Sequence, residues 1–517
     1  MEELIALDVG TTGVKAALID RDGRVLAEEN HSYPMSVLAD RVEQDPEAWW
    51  EGSVAVMASL VKRTDPRRVI AVGLTGQMQD LITVGSGRVG RAILYSDSRA
   101  REQAERVSRL IGTDELCRRT GNIQDATSLL AKILWLRENE PRSFAGIRRF
   151  LFGAHDYIAW KLTGSEASDP TTLSTTGLLD IATGDYAYDV IDALDIPRSL
   201  LPAVVRADTV DGGLRSEPAL LIGLPEGTPV FHGAGDAGST TIGAGAGVPG
   251  ALSCYLGTSG WLAATTAGEC VDPRTGIFNL RHPDAASLIH VGPMLLAAGN
   301  VDWAIEAFGG APGAADRYDA FTREAASAPA AGGLLYLPYL VGERSPFRDS
   351  NARGAFVGLS RSTTRPQTNR AVLEGVAFAM KSIHDAMRHS SASVPRTISL
   401  SGGGARSPLW PQIFADAFDC EVTVADRAGQ PGLTGVAVIV ARALGWQEGY
   451  LPPITRRKDR VFRPDPRNRG AYESAYGVFC GLYPALRQSY AALATRDTEG
   501  RSGTDPHDNG STTRRDS

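Results

Sequence analysis

A short apolar run, a four-residue Gly-Thr turn and a second apolar run occur twice in this chain, and that repetition limits its fold more than any other feature. The first copy is Leu4-Ile5-Ala6-Leu7-Asp8-Val9, then Gly10-Thr11-Thr12-Gly13, then Val14 to Ile19. The second is Ala251 to Leu256, then Gly257-Thr258-Ser259-Gly260, then Trp261 to Ala264, 247 residues further on (Gly10 against Gly257). Each reads as a β-hairpin, and Asp20-Arg21-Asp22-Gly23 turns the first into a third strand. Copies at the head of each half predict two similar domains, 1–246 and 247–490. Between them helical patterns alternate with short buried strands. Pro46 to Val61 carries Ala48, Trp49, Val54, Met57 and Leu60 at helical spacing, and Val69 to Leu74 is an apolar strand. Later, Thr397 to Leu400 leads into Ser401-Gly402-Gly403-Gly404 and a helix from Leu409 to Phe418. Alternation of this kind predicts an α/β fold. Residues 496–517 contain no Ala, Val, Ile, Leu, Met, Phe, Trp, Tyr or Cys, so this tail is expected to be disordered.

Several classes are excluded. With 53 basic and 60 acidic residues the net charge is −7, which argues against a nucleic-acid or anionic-membrane surface as the main partner. Five scattered cysteines, none spaced C-x-x-C, exclude a disulfide framework and the common zinc modules. Acids at Glu2 and Glu3 stand where a signal peptide needs positive charge, and the apolar run from Val436 to Leu444 is broken by Arg442. The expectation is a cytoplasmic protein with small-molecule partners, no nucleic acid and no membrane, and a homodimer left open.

The chemistry must come from elsewhere than a standard nucleotide loop. Gly233-Ala234-Gly235-Asp236-Ala237-Gly238 matches G-x-G-x-x-G after a strand, but Ala237 to Gly268 offers no acid for a ribose, and no Walker motif occurs. The Gly-Thr turns are better candidates, because consecutive backbone N–H groups form an anion-binding nest. Asp8, a carboxylate inside an apolar strand just before such a turn, suits Mg²⁺; capping its own turn is the equal alternative. Lys15 either adds positive charge or points to solvent. Asp236, among small residues at a strand end, is placed for general-base work or for capping a helix.

These residues belong to a longer ordered set. Asp8 through Lys15, Gly76-Gln77-Met78, Tyr95-Ser96-Asp97-Ser98-Arg99, Lys132 to Trp135, Asp156-Tyr157 through Gly164, Gly235-Asp236-Ala237-Gly238 and Leu256 to Gly260 are followed by Leu337 to Leu340 with Gly342-Glu343-Arg344, Arg370 to Gly375, and Gly402 to Arg406. The set, spanning Leu4 to about Tyr490, resembles the FGGY carbohydrate kinases, and within them most the xylulokinase branch. The resemblance implies two ribonuclease-H-like domains, of the actin and sugar kinase superfamily, with ATP, Mg²⁺ and a small sugar in the cleft between them. It implies Asp236 as the base that takes the sugar hydroxyl's proton, and Asp8 as the residue that positions Mg²⁺. Gly10, Thr11, Thr12, Lys15, Gly257 and Thr258 fall at the phosphates, and Gly402, Gly403 and Gly404 where backbone approaches the adenosine. Met78, Gln79 and Asp97, with Asp236, fall at the sugar. A chaperone or actin-like ATPase shares the hairpins without the sugar-facing motifs. This chain departs from the xylulokinase pattern in two places: Gln77-Met78-Gln79-Asp80 stands for Gln-Met-His-Gly, and Ala237 for Asn. A pocket built for hydroxyls discriminates through such groups.

Overall fold

In the computed structural model, which describes residues 2–85, 89–308, 317–330, 332–390, 397–424, 430–452 and 459–502, each Gly-Thr turn heads a sheet of the same design. In the first, β1 (Glu3–Val9), β2 (Gly13–Asp20) and β3 (Val25–Ser32) form an antiparallel meander. Helix α1 (Pro46–Val61), begun by Asp45 capping and Pro46 in its first turn, returns the chain to β4 (Val69–Gly76), parallel to β1. There follow β5 (Met78–Gly85), α2 (Leu129–Asn139), β6 (Ile147–Gly153), α3 (Ala154–Thr163), the short α4 (Pro170–Leu173), β7 (Val210–Gly213), β8 (Pro229–Phe231) and α5 (Asp236–Thr241). The second half runs β9 (Leu252–Leu256), β10 (Gly260–Thr266), β11 (Phe278–Arg281), β12 (Leu288–Met294), α6 (Arg365–Ser390), β13 (Ile398–Ser401), α7 (Trp410–Phe418), β14 (Val422–Val424), α8 (Pro431–Ala443), β15 (Arg460–Phe462) and α9 (Arg469–Ser502).

The sheet orders are β7-β8-β4-β1-β2-β3 and β11-β12-β10-β9-β13-β14-β15. Within them β3-β2-β1-β4-β8 and β12-β10-β9-β13-β14 match strand for strand, a meander extended by two parallel strands. The chain is therefore a two-domain α/β protein, and its repeat is one of topology as well as of sequence.

The halves are not independent in packing. Along β1, Ile5, Leu7 and Val9 pack with Trp49, Met57 and Leu60 of α1. Leu4 and Ala6, on the opposite face, join Ala17, Ile19, Ala71 and Phe231 under Leu433, Val436, Ala437 and Val440 of α8. A helix from the second half of the sequence thus completes the first sheet, so a boundary at 246/247 divides the chain but not this core. The physical reason is that the parallel, near-continuously apolar strands β1, β4 and β8 at the centre of this mixed sheet must be covered on both faces. The halves also join directly: Asn122 Nδ2 donates to the Asn279 carbonyl at 2.8 Å, and Asn279 N–H returns a bond to Asn122 Oδ1 at 2.9 Å. Helix α9 runs to Ser502, a little way into the segment expected to be disordered; 503–517 lies outside the described residues. Among the described residues no helix is long and apolar enough to cross a membrane.

Gly73 on β4 shows how close α8 lies, since a Cβ there would fall 2.5 Å from Val440 Cγ2 and 2.6 Å from Val436 Cγ1. Gly73→Val is expected to destabilise the fold by about 1–3 kcal/mol, read as a lower urea midpoint.

Candidate active site

Alternation along β1 decides where Asp8 points. It shares parity with Leu4 and Ala6, so its side chain lies on the α8 face, at the strand's end, where the first turn of that helix arrives. A Cβ on Gly432 would fall only 2.6 Å from Asp8 Oδ2. Lys15 is the cross-strand partner of Asp8 and therefore on the same face. Burial raises the Asp8 carboxyl above the usual carboxylate range, while Lys15 and His155 pull it down. No hydrogen bond engages the Asp8 carboxylate among the described residues, so its position does not come from capping its own turn.

Asp236 opens α5 immediately after the turn Gly233-Ala234-Gly235. Burial and the like charge of Asp8 push its carboxyl up to about 7, against the opposing pull of the Ala237 N–H and His155. The residue is nonetheless not fully closed off from solvent. The glycine pattern around it serves packing. Gly233 has φ +75° and a Cβ there would overlap the Leu74 carbonyl; at Gly235 it would meet Met78 Cγ at 2.4 Å, and at Gly238 Thr171 Cγ2 at 2.9 Å. Protein atoms thus account for all three glycines, and the dinucleotide reading has no role left.

The two Gly-Thr turns are prepared alike. In the first, Gly10 N–H bonds the Gly13 carbonyl at 3.1 Å, Gln44 Nε2 donates to the Thr11 carbonyl at 2.7 Å, and the Tyr33 hydroxyl donates to the Gly10 carbonyl. In the second, Gly257 N–H bonds the Ser259 carbonyl at 3.0 Å, and the Thr258 carbonyl accepts from Ala297 and Gly299 at 2.8 and 3.1 Å. Carbonyls are held from behind, while the N–H groups of Thr11, Thr12, Thr258 and Ser259 have no acceptor among the described residues. That is the donor arrangement of an anion nest. Only the first turn has a carboxylate beside it. Where the second copy has Tyr255, the ring stacks on Trp261 at 4.2 Å.

The remaining sequence candidates divide. Met78 is buried against the Asp236 turn. Gln79 adopts φ +63°, a strained backbone for a residue with a side chain, and its Nε2 donates to the Thr127 carbonyl at 3.1 Å. It lines a cavity of about 80 Å³ with Tyr95, Ser96 and Asn122 from the first half and Arg344 from the second. Asp97 does not join them. Its carboxylate is fully buried, held by Arg99 Nη2 at 2.6 Å and Nε at 2.9 Å and by the Val42 N–H at 2.7 Å. The motif located Asp97 in the chain but not the direction of its side chain. The glycine trio also divides: Gly402 (φ +89°) closes on the Leu256 carbonyl and Gly404 on the Trp410 ring, and only Gly403 has open space around its Cβ position. Gly76 plays the part of Gly402 in the first half, with a Cβ position 2.9 Å from the Val9 carbonyl.

Other residues around the site gain a part only in three dimensions. Asp80, one of the departures noted above, is fully buried, accepts the Tyr95 N–H at 3.1 Å and lies near the buried Lys132 cation, whose Nζ donates to the Leu94 carbonyl at 2.6 Å. Burial pushes this carboxyl up and the ammonium down. Gln44, Tyr33 and Gly432 act on the site from positions whose only signal is three-dimensional.

Models of the FGGY family of carbohydrate kinases match both halves, the N-terminal domain over residues 4–243 and the C-terminal domain over 252–444. The chain belongs to this family. It is a carbohydrate kinase, and ATP is the family's phosphoryl donor. It is 29% identical to the xylulose kinase of Bacillus subtilis over 95% of this chain and 99% of the relative. Its fold superposes on a crystal structure of xylulose kinase from Rhodospirillum rubrum with TM-score 0.87 and 29% identity, covering 95% of this chain and 100% of that one. A gluconate kinase from Lactobacillus acidophilus gives TM-score 0.88 and 26% identity, at 95% and 99% coverage. Gly432→Ala, which crowds Asp8 without removing it, is expected to lower kcat for sugar phosphorylation about 10- to 100-fold. Sugar-dependent ADP release measures this, with Tm followed as the control.

Proposed function

We propose that this kinase transfers the γ-phosphoryl group of ATP to a hydroxyl of a small ketose, with D-xylulose the first candidate. What supports the reading is the closeness of the two carboxylates at their strand ends, where burial and the like charge of Asp8 push Asp236 up to about 7. In this reading Asp236 accepts the hydroxyl proton as the sugar oxygen attacks the γ-phosphorus, and ADP leaves with the electron pair of the broken P–O bond. The N–H groups of the two Gly-Thr turns receive phosphate oxygens, and Lys15 adds positive charge on the Asp8 face. The like charge of Asp8 and Asp236, with Lys15 beside Asp8, fits a divalent cation. Asp8 would hold Mg²⁺, which neutralises phosphate charge when bound. Gly403, exposed and unobstructed, suits the adenosine side.

Met78 and Gln79 are assigned to the sugar, while Asp97 supports the wall beside them through Arg99. An aldonate is the second reading. Arg344 lines the Gln79 cavity without an ion-pair partner among the described residues, and a carboxylate would pair with it. Gln79 and Ala237 replace the imidazole and amide of the xylulokinase pattern, so the two readings separate at these positions.

Asp236→Asn is expected to fold normally and lose about 100-fold or more in kcat; full activity in this variant removes Asp236 from the mechanism. An ADP-release screen across pentuloses, hexuloses, pentitols and aldonates ranks the acceptors. If the wild-type pocket serves another acceptor, Gln79→His with Ala237→Asn raises D-xylulose activity relative to it. An unchanged ranking means that these positions do not set specificity.

A further inference from the structure

Beneath the two site carboxylates lies a set of ionisable side chains that the reaction leaves unused. His155, Asp156, Asp169 and His232 are all fully buried, and one nitrogen or oxygen from each lies within 4.8 Å of the others. They come from separate segments: His155 and Asp156 from the first turn of α3, Asp169 from the cap of α4, and His232 from the end of β8, four residues before Asp236.

The contacts are directional. His155 Nε2 stands 3.1 Å from Asp169 Oδ2 and 3.2 Å from Asp156 Oδ1, and Asp169 Oδ1 accepts the N–H groups of Thr171 and Thr172 at 2.8 and 3.2 Å. His232 spans Asp211 (Nδ1, 2.6 Å) and Asp156 (Nε2, 3.2 Å), while the other Asp156 oxygen accepts from Phe152 and Gly153 at 3.0 and 3.1 Å. Two imidazoles and two carboxylates also invite a metal ion, but His155 speaks against one. Ligation through Nε2 would force the proton onto Nδ1, and that atom is buried with no hydrogen-bond partner. An unpaired buried donor is costly. With the proton on Nε2 and given to Asp169, Nδ1 keeps only a lone pair.

Two routes lead from this set to the site. Asp169 fixes α4, whose threonines press on the turn that presents Asp236. Thr172 Oγ1 lies 2.6 Å from the Cβ position of Gly235, and Thr171 Cγ2 lies 2.9 Å from that of Gly238. His155 has its backbone N 3.1 Å from the Cβ position of Gly76, beside the end of β1, and its ring meets that of His232, four residues before Asp236, edge-on at 5.3 Å.

We propose that His155, oriented by Asp169, is a positioning residue for Asp236, holding the 233–238 turn so that the carboxylate meets the sugar hydroxyl. This rests on Asp236 being the base. The test is a double-mutant cycle in kcat at saturating sugar and ATP, read by ADP release, with both KM values and Tm recorded. His155→Ala is expected to lose about 10- to 100-fold in kcat with each KM within about threefold. His155→Gln, which keeps an N–H toward Asp169, stays within about fivefold of wild type. In the Asp236→Asn background His155→Ala costs less than about twofold, because the group it positions is already gone. If His155→Ala does not fold, Asp169→Asn takes its place in the cycle. Equal losses in the two backgrounds, an unchanged kcat in the single variant, or one equivalent of bound transition metal in the purified protein would each overturn the proposal. Full activity in Asp236→Asn alone refutes the base reading, and with it this one, before His155 is touched.

Discussion

The site depends on one packing constraint: β1 is covered on both faces, and Asp8 falls on the face covered by α8. Leu4 and Ala6, preceding it at alternate positions, are sealed under Leu433 and Val436. Continued one step further, that seal would bury an unpaired carboxylate, which is prohibitively costly. The helix instead begins there, with Gly432 at the point of contact and no side chain to close the gap. The end of a buried strand, the start of a helix and a missing Cβ together make a carboxylate that is constrained but reachable. Because α8 comes from the second half of the chain, the same contact ties the two halves together beside Asp8.

Like charge organises the rest. Asp236 follows the parallel strand β8 through a glycine turn pressed on the Leu74 carbonyl, and it feels the charge of Asp8. Two carboxylates so placed destabilise each other until a cation or a proton intervenes. Under the proposed mechanism that intervening proton comes from the sugar hydroxyl and that cation accompanies the triphosphate. The Gly-Thr turns supply the complementary donors, since their carbonyls are engaged by Gln44, Tyr33 and the 297–299 segment and their N–H groups are left without acceptors.

Polar groups under the site are numerous, yet most have partners. Asp97 is absorbed by Arg99, Asp80 lies by Lys132, and Asp169 is shared between His155 and the start of α4. In a low-dielectric interior such networks are rigid when satisfied. They hold loops that hydrophobic contacts alone would leave loose, which is how short segments such as 233–238 come to present a side chain in one place.

Much was legible in the residues themselves. Two Gly-Thr hairpins announced a duplicated α/β design, and an ordered run of motifs pointed to the family and to Asp8 and Asp236. These are local signals, carried by residue type and spacing along a strand or turn. The direction of Asp97, the division of labour among Gly402, Gly403 and Gly404, and the parts played by Gly432, Gln44 and His155 were decided only in three dimensions. Each depends on which distant segment arrives opposite a given atom. The sequence by itself determined which strands and turns could form and which carboxylates stood out. The tertiary structure decided which of those carboxylates stayed partly exposed, because closure is set by helices and rings packed from hundreds of residues away.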